Sequence, residues 1–407
     1  MNKSLGGEQI IQANKRRKIR VTYVIATNLR FKRFEWICSE LSKERFELSF
    51  ILLNQGQTDL PEYLTAQKIP YISIKYSNKY SLNLFWAIWK ISRYCRKNKT
   101  DIVHTYGVDG SLVGLSGACL GGVQIRIQSR THAGPFPWPQ RVPWGQVYDH
   151  FNNFLSSKIT MTSQKVKDIV ISYDGVAPSK VIPIHPGFDL EAFAKVSEEN
   201  LQNIKEKYNI KNVAPVVGVV SRYVAWKGVH YIVPAFGKLL EDYPSALLVL
   251  ANARGNYRKE IHRQLQSIPT DRYVEIPFEN DMFALYKLFD VFVHVPMAPN
   301  MEAFGQVYIE ALAAGIPSVF TRSGVVDEFI VHNKHAYLVD YENSDQIYEG
   351  IKTILENNSL RESLIYNGGQ SVRDMFDLKQ MIGSLESLYL SEFETTQQDN
   401  REEDEEN

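Results

Sequence analysis

Cysteine is scarce: three residues, Cys38, Cys95 and Cys119, odd in number and far apart in a chain of 407. That excludes a disulfide-stapled scaffold and a cysteine-rich metal cluster, and it points to a reducing compartment. Long hydrophobic runs are also missing. The longest, LVGLSGACLGGV (112–123), is too short to cross a bilayer. No apolar signal-peptide core follows basic NKRRK (14–18), which runs straight into a strand-like segment. A cytoplasmic protein is expected, soluble or held peripherally at the inner face of the membrane. Two further absences narrow the chemistry. No two aspartates stand in Asp-x-Asp spacing, so a metal-dependent transfer built on that pair lacks its ligands. No G-x-G-x-x-G follows a strand, which argues against a dinucleotide-dependent dehydrogenase.

Net charge is absent overall, with 46 basic and 46 acidic residues, but the balance is uneven along the chain. Residues 1–190 hold 26 Lys+Arg against 13 Asp+Glu, leaving 20 against 33 for the rest. Much of that acidity lies in the last segment, 394–407, expected as a disordered solvating tail. A basic first half suits an anionic partner such as phospholipid or a phosphorylated substrate; scattered surface lysines are the bland alternative. No nucleic-acid-reading module is present, so nucleic acid is not an expected partner.

Strand-length apolar runs alternate with helical patterns: IRVTYVIAT (19–27), FELSFILL (46–53), YISIKY (71–76), DIVHTYG (101–107), VQIRIQSR (123–130), KITMTS (158–163) and KVIPIHPG (180–187). After PGFDLEAF (186–193) the alternation restarts with VAPVVGVVSRY (213–223), ALLVLAN (246–252), YVEIP (273–277), VFVHV (291–295), SVFT (318–321) and AYLVD (336–340). Such alternation makes parallel sheets with helices on both faces. The expected organisation is a flexible leader at 1–17, α/β domains at 18–190 and 191–375, and a helix at 376–393 free to pack across either domain.

Ligands of open α/β sheets bind beyond the carboxyl ends of strands, often at a helix N-terminus. SRYVAWKG (221–228) follows one such strand. Its Lys227 opens a helix, where the macrodipole disfavours a cation unless Arg222 and Lys227 bracket an anion; an ordinary solvated lysine is the alternative. EAFGQVYIEALAAGIPSVF (302–320) follows another strand and carries two carboxylates in an apolar setting, Glu302 and Glu310. No cation stands three or four residues from Glu310, and an unpaired buried carboxylate is costly. Gly305 allows close approach, and the amides of Gly305, Gln306 and Val307 face outward from a helix start. Each carboxylate is an acceptor suited to sugar hydroxyls. The alternative is that Glu302 only complements the helix dipole and Glu310 finds an arginine elsewhere.

The spacing Glu302-x7-Glu310 resembles the signature of the retaining, nucleotide-sugar-dependent glycosyltransferases of GT-B architecture, family 4. SRYVAWKG resembles that family's G-R-x-x-x-x-K-G element, HPGFDLEAF (185–193) its interdomain linker, and DIVHTYG and QSRTHAG its first-domain strand ends. The resemblance runs from about 101 to 340 in order. It implies two Rossmann-like doubly wound domains about a cleft. Arg222, Lys227, Gly305 and Gln306 would hold the donor diphosphate, and Glu302, Phe304 and Glu310 the sugar and ribose. Glu302 and His132 would act at the transferred sugar, with His104 a weaker candidate that reads equally as structural. The family uses a front-face reaction with the diphosphate as base, no metal and no cofactor. Three departures stand out: ATNLRFKRF (26–34) replaces a Gly-Gly loop, Ser221 replaces a glycine, and ANARGNYRK (251–259) replaces a glycine-rich turn.

On the acceptor side, LFWAIWKISRYCRKNK (84–99) is aromatic and ends in five cations, as a helix at an anionic membrane interface does; a packed crossover helix with a solvated basic end is the alternative. AGPFPWPQRVPWG (133–145) suits stacking on a sugar ring, or simple packing. The expected partners are a nucleotide sugar, UDP-linked, and a polysaccharide, glycolipid or lipid-linked acceptor. An epimerase or phosphorylase of the same architecture, and a non-catalytic nucleotide-sugar-binding protein, are the competing readings.

Overall fold

The computed structural model describes residues 17–26, 32–54, 59–76, 83–130, 145–193, 195–210 and 213–406. His132, most of the basic leader, residues 27–31 of ATNLRFKRF and the Pro- and Trp-rich stretch 133–144 lie outside them.

The first domain has strands β1 (Ile19–Ile25), β2 (Phe46–Asn54), β3 (Tyr71–Lys75), β4 (Ile102–Tyr106), β5 (Ile125–Arg130), β6 (Lys158–Met161) and β7 (Val181–Pro183). Between them run α1 (Lys32–Glu40), α2 (Leu60–Ala66), α3 (Asn83–Asn98), α4 (Val108–Leu120), α5 (Gly145–Leu155) and α6 (Gln164–Ser172). The second has β8 (Val216–Val220), β9 (Leu247–Ala251), β10 (Tyr273–Ile276), β11 (Val291–His294), β12 (Ser318–Phe320) and β13 (Tyr337–Leu338). Its helices are α7 (Glu198–Lys207), α8 (Val229–Asp242), α9 (Arg258–Leu265), α10 (Met282–Tyr286), α11 (Gln306–Ala313), α12 (Val326–Phe329), α13 (Ser344–Glu356) and α14 (Asn358–Phe376). α15 (Leu378–Glu406) follows.

Both sheets are parallel, ordered β3-β2-β1-β4-β5-β6-β7 and β10-β9-β8-β11-β12-β13. Each order reverses beside its first strand, which opens a crevice at the carboxyl ends of the flanking strands. β8 and β9 are buried along their whole length, and their Val, Leu and Ala residues are the continuous apolar runs a doubly covered sheet requires. Two such parallel-sheet domains, each covered by helices on both faces, make the expected GT-B architecture.

The two domains are joined by two adjacent chain crossings. The Phe188 amide donates to the Phe376 carbonyl at 2.9 Å, and the Leu378 amide to the Phe188 carbonyl at 3.2 Å. Around them runs a ladder of rings: Trp36 edge-on to Phe188 at 6.3 Å, Phe188 stacked on Phe304 at 6.2 Å, and Phe304 edge-on to Phe376 at 5.6 Å.

Beyond the crossing, α15 returns to the first sheet. Met381, Ile382, Leu385, Leu388 and Tyr389 are buried in the same core as Tyr23, Phe34 and Phe50. Burial of each such side chain stabilises by about 1.5–3 kcal/mol. The expected disordered tail at 394–407 is corrected: α15 continues through Glu406. Its packed first turns supply the costly helix nucleus, to which the Glu- and Gln-rich residues add cheaply. Asn400 exchanges hydrogen bonds with Gln124, at 3.1 and 3.3 Å.

His104 lies at the centre of this junction. Its Nδ1 is 2.6 Å from the Tyr389 hydroxyl, which is 2.5 Å from the Tyr23 hydroxyl. Its Nε2 is 2.8 Å from Ser129 Oγ, itself 2.9 Å from Thr160 Oγ1. Four strands and α15 are thus tied by one polar chain, and both ring nitrogens are occupied. His104 is therefore a structural residue. Burial, reinforced by the nearby Arg33 cation, pushes its pKa down from 6.5 to about 3. The unfolded imidazole takes a proton that the folded one refuses. Stability from this site is thus complete above pH 6.5 and drains as pH falls toward 3, by roughly 1.4 kcal/mol per pH unit. A His104→Gln variant should flatten the thermal midpoint against pH across this window. An unaltered slope would assign the loss to other groups.

Candidate functional site

The crevice of the second sheet is built by the loops after β8, β11 and β12. Gly228, at φ +73°, ends a short turn at Ala225–Lys227 and caps α8. A Cβ at Gly228 would overlap the Val295 carbonyl, so only glycine lets the two loops touch. The Met297 amide donates to the Trp226 carbonyl at 3.1 Å. The β11 loop is fixed in turn to the β12 loop. Ser323 Oγ donates to the Ala298 carbonyl at 2.8 Å and accepts from the Glu302 amide at 3.2 Å.

This bracing brings Lys227 and Glu302 together. The Lys227 ammonium donates to Glu302 Oε1, and both side chains are nearly buried. On the other side His294, buried at the end of β11, donates from Nε2 to the same oxygen at 2.9 Å. Burial lowers the His294 pKa, so the ring is neutral with its proton on Nε2. Burial alone would push the Glu302 carboxyl up; Lys227 and His294 outweigh it and hold it at about 2. Glu302 is therefore an anion throughout the neutral range. Both donors use Oε1, and Oε2 makes no hydrogen bond or ion pair among the described residues.

The two acids in an apolar stretch thus find most of their partners within the protein. Glu310, half-buried one turn inside α11, accepts from Gln306 Nε2 at 2.6 Å and from the Tyr286 hydroxyl at 2.9 Å. Neither partner is a cation, and burial raises the Glu310 pKa despite these two bonds. Its remaining lone pairs are free to accept further hydroxyls.

Gly305 caps α11 at φ +89°, with no side-chain cap. The Gly305, Gln306 and Val307 amides make no hydrogen bond among the described residues. They are the orphan donors of a helix start, where an anion is favoured. Arg222 is exposed on the β8 loop, and its guanidinium makes no hydrogen bond or ion pair among the described residues. Lys227 and Glu302 thus meet, Gly305, Gln306 and Glu310 follow Glu302 on the same loop and helix, and Arg222 lies on the loop after β8.

Phe304, expected at the sugar, is placed otherwise. Its ring fills the ladder at the domain crossing between Phe188 and Phe376, so the chain uses it for packing. Its carbonyl takes the Val325 amide at 2.9 Å. His132 lies outside the described residues. Sequence reasoning missed His294, Tyr286 and Ser323. A lone histidine inside the central apolar strand VFVHV was the available signal for His294. Tyr286 sits in an unremarkable helical turn and gave none.

Across the cleft, Ser163 caps α6, accepting from the Val166 amide at 3.3 Å, while its hydroxyl donates to the Ala303 carbonyl at 2.6 Å. The Gln164 amide donates to Glu328 at 2.7 Å, and His185 stands 3.4 Å from the same carboxylate. The first domain thus touches the β11 loop one residue from Glu302. Among the described residues no group of three or more His, Cys, Asp or Glu side chains is placed to hold a metal.

Removing one member of a nearly buried pair leaves the other uncompensated, at roughly 3 kcal/mol. Glu302→Gln and Lys227→Met should each lower the unfolding free energy by about that much, and the double variant should lose less than the sum. Additive losses would show that the two charges are not coupled.

Residues 200–371 match the family model described as glycosyl transferases group 1, and residues 36–192 that of glycosyltransferase family 4. Among curated proteins the chain is similar to spore coat protein SA of Bacillus subtilis (strain 168), 26% identical over 246 residues. It is also similar to the capsular polysaccharide biosynthesis glycosyltransferase CapM of Staphylococcus aureus, 27% identical over 241. These matches take in 57% and 58% of this chain and 64% and 62% of those proteins, a little under two thirds of their length. The Anabaena protein Alr3699/HepE, solved with UDP and glucose, superposes with a TM-score of 0.78 at 18% identity, covering 92% of this chain and all (100%) of that one. WaaG, a glycosyltransferase involved in lipopolysaccharide biosynthesis, gives 0.68 at 15% identity over 91% and 99%.

Proposed function

We propose that this chain, which belongs to the group 1 glycosyltransferases, moves a hexose-type sugar from a UDP-linked donor to a carbohydrate or lipid-linked acceptor with retention of configuration. The observation that carries the reading is the Lys227–Glu302 pair at the unpaired amides of α11. A cation and an anion in contact, just ahead of a helix N-terminus with unpaired amides, support it. Structural neighbours described as complexes with UDP and with UDP-glucose support the choice of nucleotide.

In this reading the diphosphate lies on the Gly305 and Gln306 amides and takes Lys227 and Arg222 as counter-charges. Glu302 Oε2 accepts a hydroxyl of the sugar, and the spare lone pairs of Glu310 accept the ribose hydroxyls. As the bond from the anomeric carbon to the diphosphate breaks, charge builds on the leaving oxygen. Preorganised cations and amides stabilise it there without reorganisation. The acceptor hydroxyl attacks from the same face and gives its proton to the departing phosphate. His132 is assigned beside the transferred sugar from its position after β5, and the first domain supplies the acceptor. The cationic groups provide the charge a metal would otherwise supply, so the reaction is proposed to run without one.

Arg222→Ala is the cleanest test. The side chain is exposed and unpaired, so stability should stay within about 0.5 kcal/mol of wild type. Thermal stabilisation by UDP should fall, as expected for an affinity loss of at least roughly tenfold. UDP should stabilise the wild type more than ADP or GDP. Equal response to all three nucleotides would reject the donor assignment. Glu302→Gln, assayed below its own midpoint, should lose about 10²-fold or more in kcat with donor and acceptor present. Conversion of the donor without any acceptor would identify an epimerase instead.

A further inference from the structure

α5 is inverted. Its inward face is polar: Asp149, Asn152 and Asn153 are buried there. Asp149 meets the fully buried Arg130 at 3.2 Å, Arg130 meets Asp174 at 2.7 Å, and Asn153 donates to Asp174 at 3.2 Å. Its outward face, Val147, Phe151 and Phe154, is apolar at helical spacing, and Phe154 is 79% exposed. A helix in water places these faces the other way round. The arrangement is favourable only if an apolar phase covers the outer face.

α3 repeats the signal. Its inner positions Ala87, Ile91 and Cys95 pack on the sheet. Phe85, Trp86 and Trp89 stand outward, 72%, 44% and 55% exposed. Lys90 sits 3.7 Å over the Trp86 ring and Arg93 5.7 Å over that of Trp89, and Arg96 and Lys97 continue the exposed row. α4 packs between α3 and α5. It lies close on the sheet at Gly114, where a Cβ would come to 2.7 Å from Thr105, and close on α3 at Gly117, where a Cβ would come to 2.6 Å from Ile91. α3 and α5 therefore flank it on one face of the first domain.

The outward Lys, Arg, Asp and Glu charge on these two helices has one sign and lies on α3. α3 contains no acidic residue, and the single acid of α5, Asp149, is turned inward to Arg130. A two-fold pairing of this face with itself would set Arg93 and Lys97 against like charges. An anionic bilayer offers what both parts require. Phosphates meet the cations, and the interfacial zone takes Trp and Phe. We infer that the outer face of α3 and α5 is a docking surface for an anionic phospholipid bilayer, on which the protein lies peripherally. Among the described residues no helix is long and apolar enough to cross a membrane. The inference is independent of the donor chemistry.

Vesicle flotation tests it, using phosphatidylcholine alone and an equal mixture with phosphatidylglycerol. The chain should float with the mixed vesicles and little with the neutral ones, and raised salt should weaken binding. A Trp89→Ser/Phe154→Ser variant should lose roughly tenfold or more of its partitioning, with unchanged thermal midpoint and UDP response. Arg93→Glu/Lys97→Glu should abolish the preference for phosphatidylglycerol. Absence of flotation at low salt, or wild-type flotation of the Trp89/Phe154 variant, would overturn the proposal. So would sedimentation of the wild type as a dimer that this variant converts to a monomer.

Discussion

The ion pair between Lys227 and Glu302 is the constraint on which the crevice rests. Each charge alone is badly placed. Lys227 stands before the positive end of α8, and Glu302 is buried among apolar residues beside α11. Together they cancel both penalties, and they do so across loops that leave neighbouring strands β8 and β11. His294 then sets which oxygen is occupied. A carboxylate already committed through one oxygen presents the other in a fixed direction. That is what a binding group needs if little ordering is to be left for the encounter.

The sheets were legible because parallel strands buried on both faces are near-continuous apolar runs, and turn residues punctuate them. The motif residues were legible because they stand at strand ends and helix starts. What joins them was not. Lys227 and Glu302 are 75 residues apart in sequence, and their pairing depends on strand order, which no local pattern encodes. Phe304 shows the opposite failure. It sits inside a recognisable motif, yet its ring belongs to the domain crossing, where it packs between Phe188 and Phe376, partners that lie far away in sequence. The acidic end of α15 was misread because composition speaks for solvation but not for the packed turns that start the helix.

Within the first domain, polar groups are spent in two different ways. The row from Thr160 through Ser129 and His104 to Tyr389 and Tyr23 is fully paired between the sheet and α15, and serves as an internal fastening. The group under α5 is looser: Arg130 has two carboxylates, but among the described residues Asn152 has no hydrogen-bond partner for either side-chain polar atom. Buried polarity of that kind fixes the orientation of α5 at some cost in stability. The return is a helix that presents rings, not charges, to its surroundings.

The path of α15 has a consequence for synthesis. The first sheet, with α1 and α2, emerges from the ribosome well before residues 381–389, which complete its core. Everything between, the whole second domain included, must be translated while Tyr23, Phe50 and His104 await their cover. Domains that emerge first ordinarily finish folding first. Here the order is reversed at the last step: the earlier domain closes only after the later one exists, and a ribosome that stalls near residue 376 releases a protein with an open apolar seam.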